Sequence, residues 1–311
     1  MILITGGLGY LGGRIARHLV TNTDQKVVLS SRSSRDHILK LKDCDLIKME
    51  MSNKNDLDSG CKGIHTIIHL AAMNASQCQE DPERASLINT EGTLNLLASA
   101  YRNNVEKFIY FSTAHIYGSP LQGVLNESSI PDPKHPYSMT HKKAEDYVLE
   151  FNDNEKVAGV VLRLSNAIGA PIDLTADCWM LVTNSFCKQA VLKKKIYIAG
   201  DCQSKRDFIP ITSVELLIRQ LVDLNIIEQR IINVGSGFSM TILELAQLIA
   251  KRCKRLFDYN IEIENHPYEI SNKVDLEYEC KILESMNIET SKTLADEIDE
   301  LLIFCQKEFK A

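Results

Sequence analysis

The chain opens MILITGGLGYLGGR over residues 1–14, and the fold turns on how this stretch is read. Met1 to Thr5 is an apolar, strand-like run that enters a glycine cluster without a polar break. Gly7, Gly9 and Gly12 satisfy the spacing G-x-G-x-x-G, and Gly6, Gly9 and Gly12 the looser G-x-x-G-x-x-G. Both spacings ask for the same physics. Glycine permits a tight strand-to-helix turn, and a missing side chain lets the backbone approach a pyrophosphate. A helix opening near Tyr10 and Leu11 then offers free N–H groups and its positive dipole end to that anion. A plain glycine turn is the competing reading, and the surrounding pattern decides between them.

Working outward, strand-like runs recur at KVVLS (26–30), LIKME (46–50), TIIHLAA (66–72), KFIYFS (107–112), VAGVVLRL (157–164) and IINVG (231–235). Stretches with apolar residues at helical spacing lie between most of them, such as Leu87, Ile88, Leu94, Leu97, Ala98 and Tyr101. Strands rich in Val and Ile alternating with helices of 10–15 residues indicate βαβ units around a parallel sheet. The expected fold is therefore α/β, a doubly wound parallel sheet of the Rossmann type with a smaller α/β substrate-binding lobe. Residues 1–165 are assigned to the dinucleotide-binding domain. Residues 166–311 fall mainly to the lobe, with the strand near 231–235 returning to the sheet. Beyond 165 the reading gives a helix from about Thr241 to Cys253, a polar strand IEIEN, and helices around 276–286 and 291–309.

Composition limits the function. With 311 residues, 44% hydrophobic and 24% charged, the chain has material for a sizeable core. A net charge of −6 disfavours a nucleic-acid partner, which would want a basic surface. No run of about 18 apolar residues suits a membrane span. The nine cysteines form no CxxC pair and none is bunched with histidines, so neither a metal site nor a dithiol is expected. With no leader pattern at the N-terminus, the expectation is reduced thiols and a cytoplasmic location.

The end of the second strand speaks to the cofactor. An acidic residue there would accept hydrogen bonds from an adenosine ribose, but Ser30 stands in that place, followed by Ser31, Arg32, Ser33 and Arg35. Without a carboxylate to repel it, a 2′-phosphate can sit beside Arg32 in a charge-assisted pair. NADP is therefore expected over NAD, with NAD the alternative. Glu50, at the end of the third strand, occupies the place where an acidic side chain often meets the adenine amino group.

Together with the glycine loop, HLAA (69–72), NTEGTLNLL (89–97), STAHIYG (112–118), YSMTHKKAE (137–145), LRLSNAIG (162–169), RDFI (206–209) and NVGSG (233–237) carry a family likeness. From residue 2 to about residue 290 the chain resembles the extended short-chain dehydrogenase/reductase family, and within it the NAD(P)-dependent nucleotide-sugar epimerases and dehydratases. The resemblance implies that Tyr137 is the general acid/base at a sugar hydroxyl, supported by Thr113, while nicotinamide takes the carbon-bound hydrogen. It adds Met51, Leu70, Ala71 and Ala72 to the cofactor-binding residues. A carbinol cannot lose hydride unless its proton also leaves, so a hydroxyl beside the tyrosine has a chemical task.

One position departs from the family pattern. Where the tyrosine is followed four residues later by lysine, this chain has Tyr137-Ser-Met-Thr-His141. Four residues is one helical turn, which keeps His141 on the face of Tyr137. A histidine can still hydrogen-bond the nicotinamide ribose, but a mostly neutral imidazole forfeits the charge that lowers a tyrosine pKa. Lys142 and Lys143 are rotated away from that face. The enzyme then works with a weaker base, works mainly as a reductase, or has lost oxidoreduction.

On the substrate side the resemblance implies that Asn166 contacts a nucleotide diphosphate and Arg206 pairs with a phosphate. The alternative for Arg206 is an ion pair with Asp207 or another carboxylate. Asn89 is expected to brace the active-site backbone, and Ser76, in the loop after the fourth strand, to touch substrate. Where the family's 4,6-dehydratases carry Asp and Glu, this chain has Ala114 and His115, so dehydration is disfavoured and both are placed at the substrate. A 4-epimerase acting on a nucleotide-diphosphate sugar is the leading reading, an NADPH-dependent keto-sugar reductase the alternative, and a non-catalytic dinucleotide-binding protein the third. A homodimer through helices near 85–103 and 137–152 is expected from the family.

Overall fold

The computed structural model describes residues 1–32, 41, 43–265, 275–288 and 292–310. Its organising element is a seven-stranded parallel sheet in the order β11-β7-β5-β4-β1-β2-β3. The strands are β1 (Ile2–Thr5), β2 (Val27–Ser31), β3 (Cys44–Lys48), β4 (Thr66–His69), β5 (Lys107–Thr113), β7 (Ala158–Leu164) and β11 (Ile231–Val234). The order reverses at β1, which has β2 on one side and β4 on the other. Such a switch point opens a crevice beyond the carboxyl ends of the two strands, where an α/β sheet binds its ligand.

The sequence explains why the sheet is covered on both faces. Residues of β1, β2, β4 and β5 are almost all buried, so these strands read as continuous apolar runs without alternation. On one face Leu3, Val28, Ile67, Phe108 and Val161 pack against Leu57 and Cys61 of α2 (Lys54–Cys61), Leu96 and Leu97 of α5 (Gly92–Arg102), and Ala144 and Val148 of α6 (Pro136–Asp153). The intervening strand residues Ile2, Ile4, Ile68 and Ile109 are fully buried too and point the other way by the pleat. Helix α1 (Tyr10–Asn22) follows the glycine loop directly.

The chain divides into two compact units. The first comprises Met1–Pro120, Glu127–Leu164 and Leu217–Asn233. The second comprises Leu121–Asn126, Ser165–Leu216 and Val234–Ala311. In the second unit β8 (Asn166–Ile168), β10 (Lys205–Pro210) and β12 (Ser239–Thr241) form a three-stranded sheet, and β9 (Lys195–Ile198) pairs with β13 (Glu262–Asn265). Helices α7 (Val182–Lys193), α9 (Ile242–Phe257) and α11 (Leu294–Lys310) share a core of Phe186, Ile196, Phe208, Leu245, Ile249, Ile298 and Leu301. A capping box between Thr241 and Glu244 starts α9 at the expected place.

One expected element is corrected. Residues 276–286 are not one helix. Leu276–Tyr278 is a strand, β14, pairing in parallel with β6 (Gly123–Leu125), and only Lys281–Ser285 is helical. The alternation is visible in hindsight, with Leu276 and Tyr278 buried and Glu277 exposed. All nine cysteines are free thiols. No helix among the described residues is long and apolar enough to cross a membrane.

Candidate active site

The glycine loop sits at the switch point. Gly6 takes φ +65°, and a Cβ there would come within 3.1 Å of the Ala71 nitrogen. A Cβ on Gly12 would lie 2.4 Å from the Gly6 carbonyl oxygen, so α1 packs directly on the loop. Gly7 is closed by Leu29 in the same way. Gly9 is the N-cap of α1 and makes no side-chain cap hydrogen bond. The cradle and the uncapped helix end fit a pyrophosphate.

At the end of β2, Ser30 is buried, Ser31 half-buried and Arg32 exposed, with no carboxylate among the three. Ser33 and Arg35 lie outside the described residues. After β3, Glu50 is half-buried and its N–H donates to the Asp56 carboxylate at 3.0 Å. Met51 is buried beneath Gly92.

The edge of β4 is fixed by a chain of hydrogen bonds whose direction can be deduced. The N–H groups of Leu70 and Ala71 both donate to Thr5 Oγ1 at 3.1 Å. Thr5 Oγ1 lies 2.6 Å from His69 Nδ1, and His69 Nε2 lies 2.9 Å from Thr93 Oγ1. Thr93 spends its proton on the Asn89 carbonyl at 2.6 Å, so it accepts from His69, whose Nε2 therefore carries the proton. Nδ1 is then the acceptor for Thr5. Burial pushes the His69 pKa down to about 3, so the ring is neutral.

Asn89 lies in a π-helical turn, Ser86–Glu91, and is buried. Its amide oxygen accepts from the Met73 N–H at 2.7 Å and its nitrogen donates to Thr140 Oγ1 at 3.2 Å, tying the segment after β4 to α6. Ala72 is exposed. Ser76 is on a short helix, α3 (Ala75–Glu80), not in a loop; Asn74 and Gln77 form a capping box that starts it. Its hydroxyl is exposed and donates to Glu80 at 2.9 Å.

Helix α6 begins with Pro136 at its first position and His135 as its cap, whose Nδ1 accepts from the Tyr137 N–H at 3.1 Å. The Tyr137 side chain is hydrogen-bonded to that of Thr113 at the end of β5. Burial and the nearby Cys78 thiol push the phenol up to about 12, and the Thr113 bond pulls it partly back. Thr113 Oγ1 also accepts from the His115 N–H at 3.2 Å, a backbone bond typical of a strand end. Ala114 is buried and His115 half-buried in the following turn.

His141 stands one turn along α6, its ring edge-on to Tyr137 with centres 4.4 Å apart. Its Nδ1 lies 2.8 Å from the Tyr110 hydroxyl, and its Nε2 is buried without a partner among the described residues. Burial lowers its pKa to about 4. Neither neighbouring lysine restores the charge at this point: Lys142 pairs with Asp146 and Lys143 stands over the Tyr147 ring. Two turns from Tyr137, Glu145 receives a two-pronged pair from Arg163, at 3.2 and 2.8 Å, with both side chains buried. Arg163 also donates to the Tyr117 hydroxyl, which donates to Asn233. This clamp anchors α6 to the sheet.

In the second unit Arg206 and Asp207 are neighbours on β10 and do not pair. The Asp207 carboxylate accepts from Ser165 Oγ at 2.6 Å and from the N–H and hydroxyl of Ser236. Gly235 makes room for it, since a Cβ there would lie 2.5 Å from Asp207 Oδ1. Burial lowers the Arg206 pKa, and its guanidinium has no carboxylate partner among the described residues, which suits an external anion. Asn166 donates one amide N–H to the Asp207 carbonyl at 2.8 Å, which leaves its second N–H and its oxygen for a ligand.

Tyr110, Arg163 and Glu145 were not singled out by sequence for a role at the site. The available signal for Tyr110 was a hydroxyl inside the otherwise apolar run KFIYF.

Comparison with known proteins gives the same family. Residues 2–235 match the model of the NAD dependent epimerase/dehydratase family. The chain is 26% identical over 253 residues to a putative UDP-glucose 4-epimerase of Methanocaldococcus jannaschii, covering 80% of this chain and 81% of that one. In fold it is similar to a UDP-glucose 4-epimerase of Thermotoga maritima solved with UDP-glucose (TM-score 0.84, 21% identity, 99% of both chains). It is also similar to RMD of Pseudomonas aeruginosa complexed with NADPH (TM-score 0.78, 22% identity, 98% and 99% covered). With three quarters of its length matched in one run, motif order and sheet order in agreement, this chain belongs to the NAD dependent epimerase/dehydratase family.

Proposed function

We propose that the protein is an NAD(P)-dependent nucleotide-sugar 4-epimerase in which Tyr137 moves the proton of the sugar carbinol. The observation that carries this reading is the hydrogen-bonded pair of Thr113 and Tyr137 hydroxyls, with the unpaired His141 Nε2 one turn away. Nicotinamide, when bound, supplies a site that takes the carbinol hydrogen as hydride and returns it. The chain supplies the rest. Thr113 holds the substrate oxygen, Tyr137 takes or gives the proton at that oxygen, and His141 Nε2 holds a ribose hydroxyl. Arg206 and the second amide N–H of Asn166 take the diphosphate, and Ala114, His115 and Ser76 border the sugar. The absence of Asp and Glu at positions 114 and 115 removes the acid and base that elimination of water needs. The name of the archaeal relative supports epimerisation. Ser30, Ser31 and Arg32, with no carboxylate among them, support NADP over NAD. A homodimer is proposed through α5 and α6, on which Tyr101 and Met139 are exposed.

One observation favours a second reading, an NADPH-dependent keto-sugar reductase. A phenol held near 12 beside a neutral imidazole stays protonated at pH 7, the form that donates a proton to a carbonyl. Incubation with NAD or NADP and a panel of UDP-, GDP-, CDP- and dTDP-sugars, followed by product chromatography, separates the readings. An epimer formed with no net change in nicotinamide absorbance supports the first. Consumption of NADPH with keto-sugars supports the second. Cofactor binding with no conversion of any sugar overturns both and leaves a dinucleotide-binding protein.

A further inference from the structure

The Tyr110–His141 pair assigns a task to a residue that touches neither substrate nor cofactor. Tyr110 lies on β5 and His141 on α6, 3% exposed each, with oxygen and Nδ1 2.8 Å apart. Two hydrogen-bond directions are conceivable. If Nδ1–H donates, the phenol proton and the Nε2 lone pair are both left unused in a buried place. If the phenol donates, the remainder is a single N–H on Nε2. Among the described residues Tyr110 has no other hydrogen-bond partner and Nε2 has none. The second arrangement therefore leaves fewer buried polar groups unmade. Acidity agrees, because a phenol is a stronger proton donor than a neutral imidazole and the imidazole lone pair the stronger acceptor. The two rings are near parallel, with centres 5.9 Å apart at 29°. The imidazole is thus held by its Nδ1 edge while its other face meets Tyr137 edge-on at 4.4 Å.

We propose that Tyr110 is a positioning residue that locks His141 in the Nε2–H form, turning the imidazole into a one-donor substitute for the ammonium group of related enzymes. This rests on the reading of His141 as a ribose-holding residue. Without the lock, an imidazole on Nδ1–H presents a lone pair to the ribose hydroxyl, which must then donate to position 141 instead of accepting from it. The lysine pattern needs no such partner, since all protons of an ammonium are donors. Tyr110 therefore matters because position 141 is histidine.

The test begins with long-range proton–nitrogen correlation spectra of the full chain labelled at histidine nitrogen, near pH 7.5 and without cofactor. The expected wild-type pattern is a pyrrole-type Nε2 and a pyridine-type Nδ1 for His141, assigned against His141→Gln. In Tyr110→Phe, which keeps the ring and loses only the hydroxyl, the expected result is a mixed or inverted pattern. A pyrrole-type Nδ1 in wild type, or an unchanged pattern in Tyr110→Phe, overturns the proposal. The second arm measures dinucleotide dissociation constants. Tyr110→Phe is expected to weaken binding about 3- to 10-fold in the native background and by less than 2-fold when His141→Lys is also present. Equal losses in both backgrounds mean a merely structural tyrosine and overturn the proposal. Failure of wild type to bind either dinucleotide sinks the donor role of Nε2 together with the proposed function. A wrong tautomer with intact sugar turnover sinks the role of Tyr110 alone.

Discussion

Two histidines among the described residues are buried in the first unit, and they are finished differently. His69, on β4, has a partner on each nitrogen, and every proton in its chain from Leu70 to Asn89 can be placed. His141, on α6, has a partner on one nitrogen only. Burial lowers both pKa values, to about 3 and about 4, so desolvation does not distinguish them. Hydrogen-bond completeness does. The closed histidine holds β1, β4 and the π-helical turn together. The open one lies beside Tyr137, where an outside atom can complete it. A buried polar atom without a partner is costly enough that a native structure needs a reason to keep it.

The largest effect expected on the open side is that of Tyr137→Phe. Removing the hydroxyl should lower turnover by about 10²- to 10⁴-fold while dinucleotide affinity and thermal midpoint hold. A variant with near-native turnover would remove Tyr137 from the chemistry.

The two histidines should then separate under substitution. His69→Leu leaves the Thr5 hydroxyl proton without its acceptor, takes a donor away from Thr93 and should cost about 2–4 kcal/mol of stability in urea unfolding. His141→Phe strands one phenol but also removes the orphaned nitrogen, and should cost less than about 1 kcal/mol while cofactor binding weakens. Equal stability losses would break the comparison.

Acid should act on both through one sign. The folded values lie below the 6.5 of a free imidazole, so on acidification the unfolded chain binds protons first. Stability is full above pH 6.5 and falls by about 1.4 kcal/mol per pH unit per histidine, down to pH about 4 for His141 and about 3 for His69. Urea midpoints between pH 7.5 and 5 should show this fall, shallower in His69→Leu. On the alkaline side, His141→Lys should move the tyrosine limb of the rate profile down by about 1–3 pH units. An unmoved limb would mean that position 141 does not sense Tyr137.

The smallest effect expected concerns the cofactor's ribose phosphate. Arg32→Ala should reduce the preference for NADP over NAD by about tenfold, or ~1.4 kcal/mol, read as a ratio of dissociation constants. A wild type that binds NAD as well as NADP already contradicts the assignment.

Much of this was open to a reader of the sequence, and for definite reasons. Glycine spacing and apolar period are local properties, and they located β1, the loop, α1 and the strands of the sheet within a few residues. The i, i+4 relation of Tyr137 and His141 needs only the helical repeat. Patterns spanning few residues were harder: Leu276–Tyr278 alternates over three positions, too few to distinguish from a helix turn, and its partner strand lies about 150 residues away. Likewise the sequence left Arg206 free to pair with Asp207. The strand pleat and the hydroxyls of Ser165 and Ser236 settled that question.

The sequence by itself determined which chemical groups stand in which order: the dinucleotide loop, the hydroxyl pair, and a histidine where an ammonium group is usual. Tertiary structure alone decided what each of those groups has left to offer. Whether a buried nitrogen is satisfied depends on atoms brought from other strands and helices, as Tyr110 is brought to His141 and Thr5 and Thr93 to His69. Hydrogen bonds are short-ranged and each donor proton serves one good partner, so no linear pattern can count what remains.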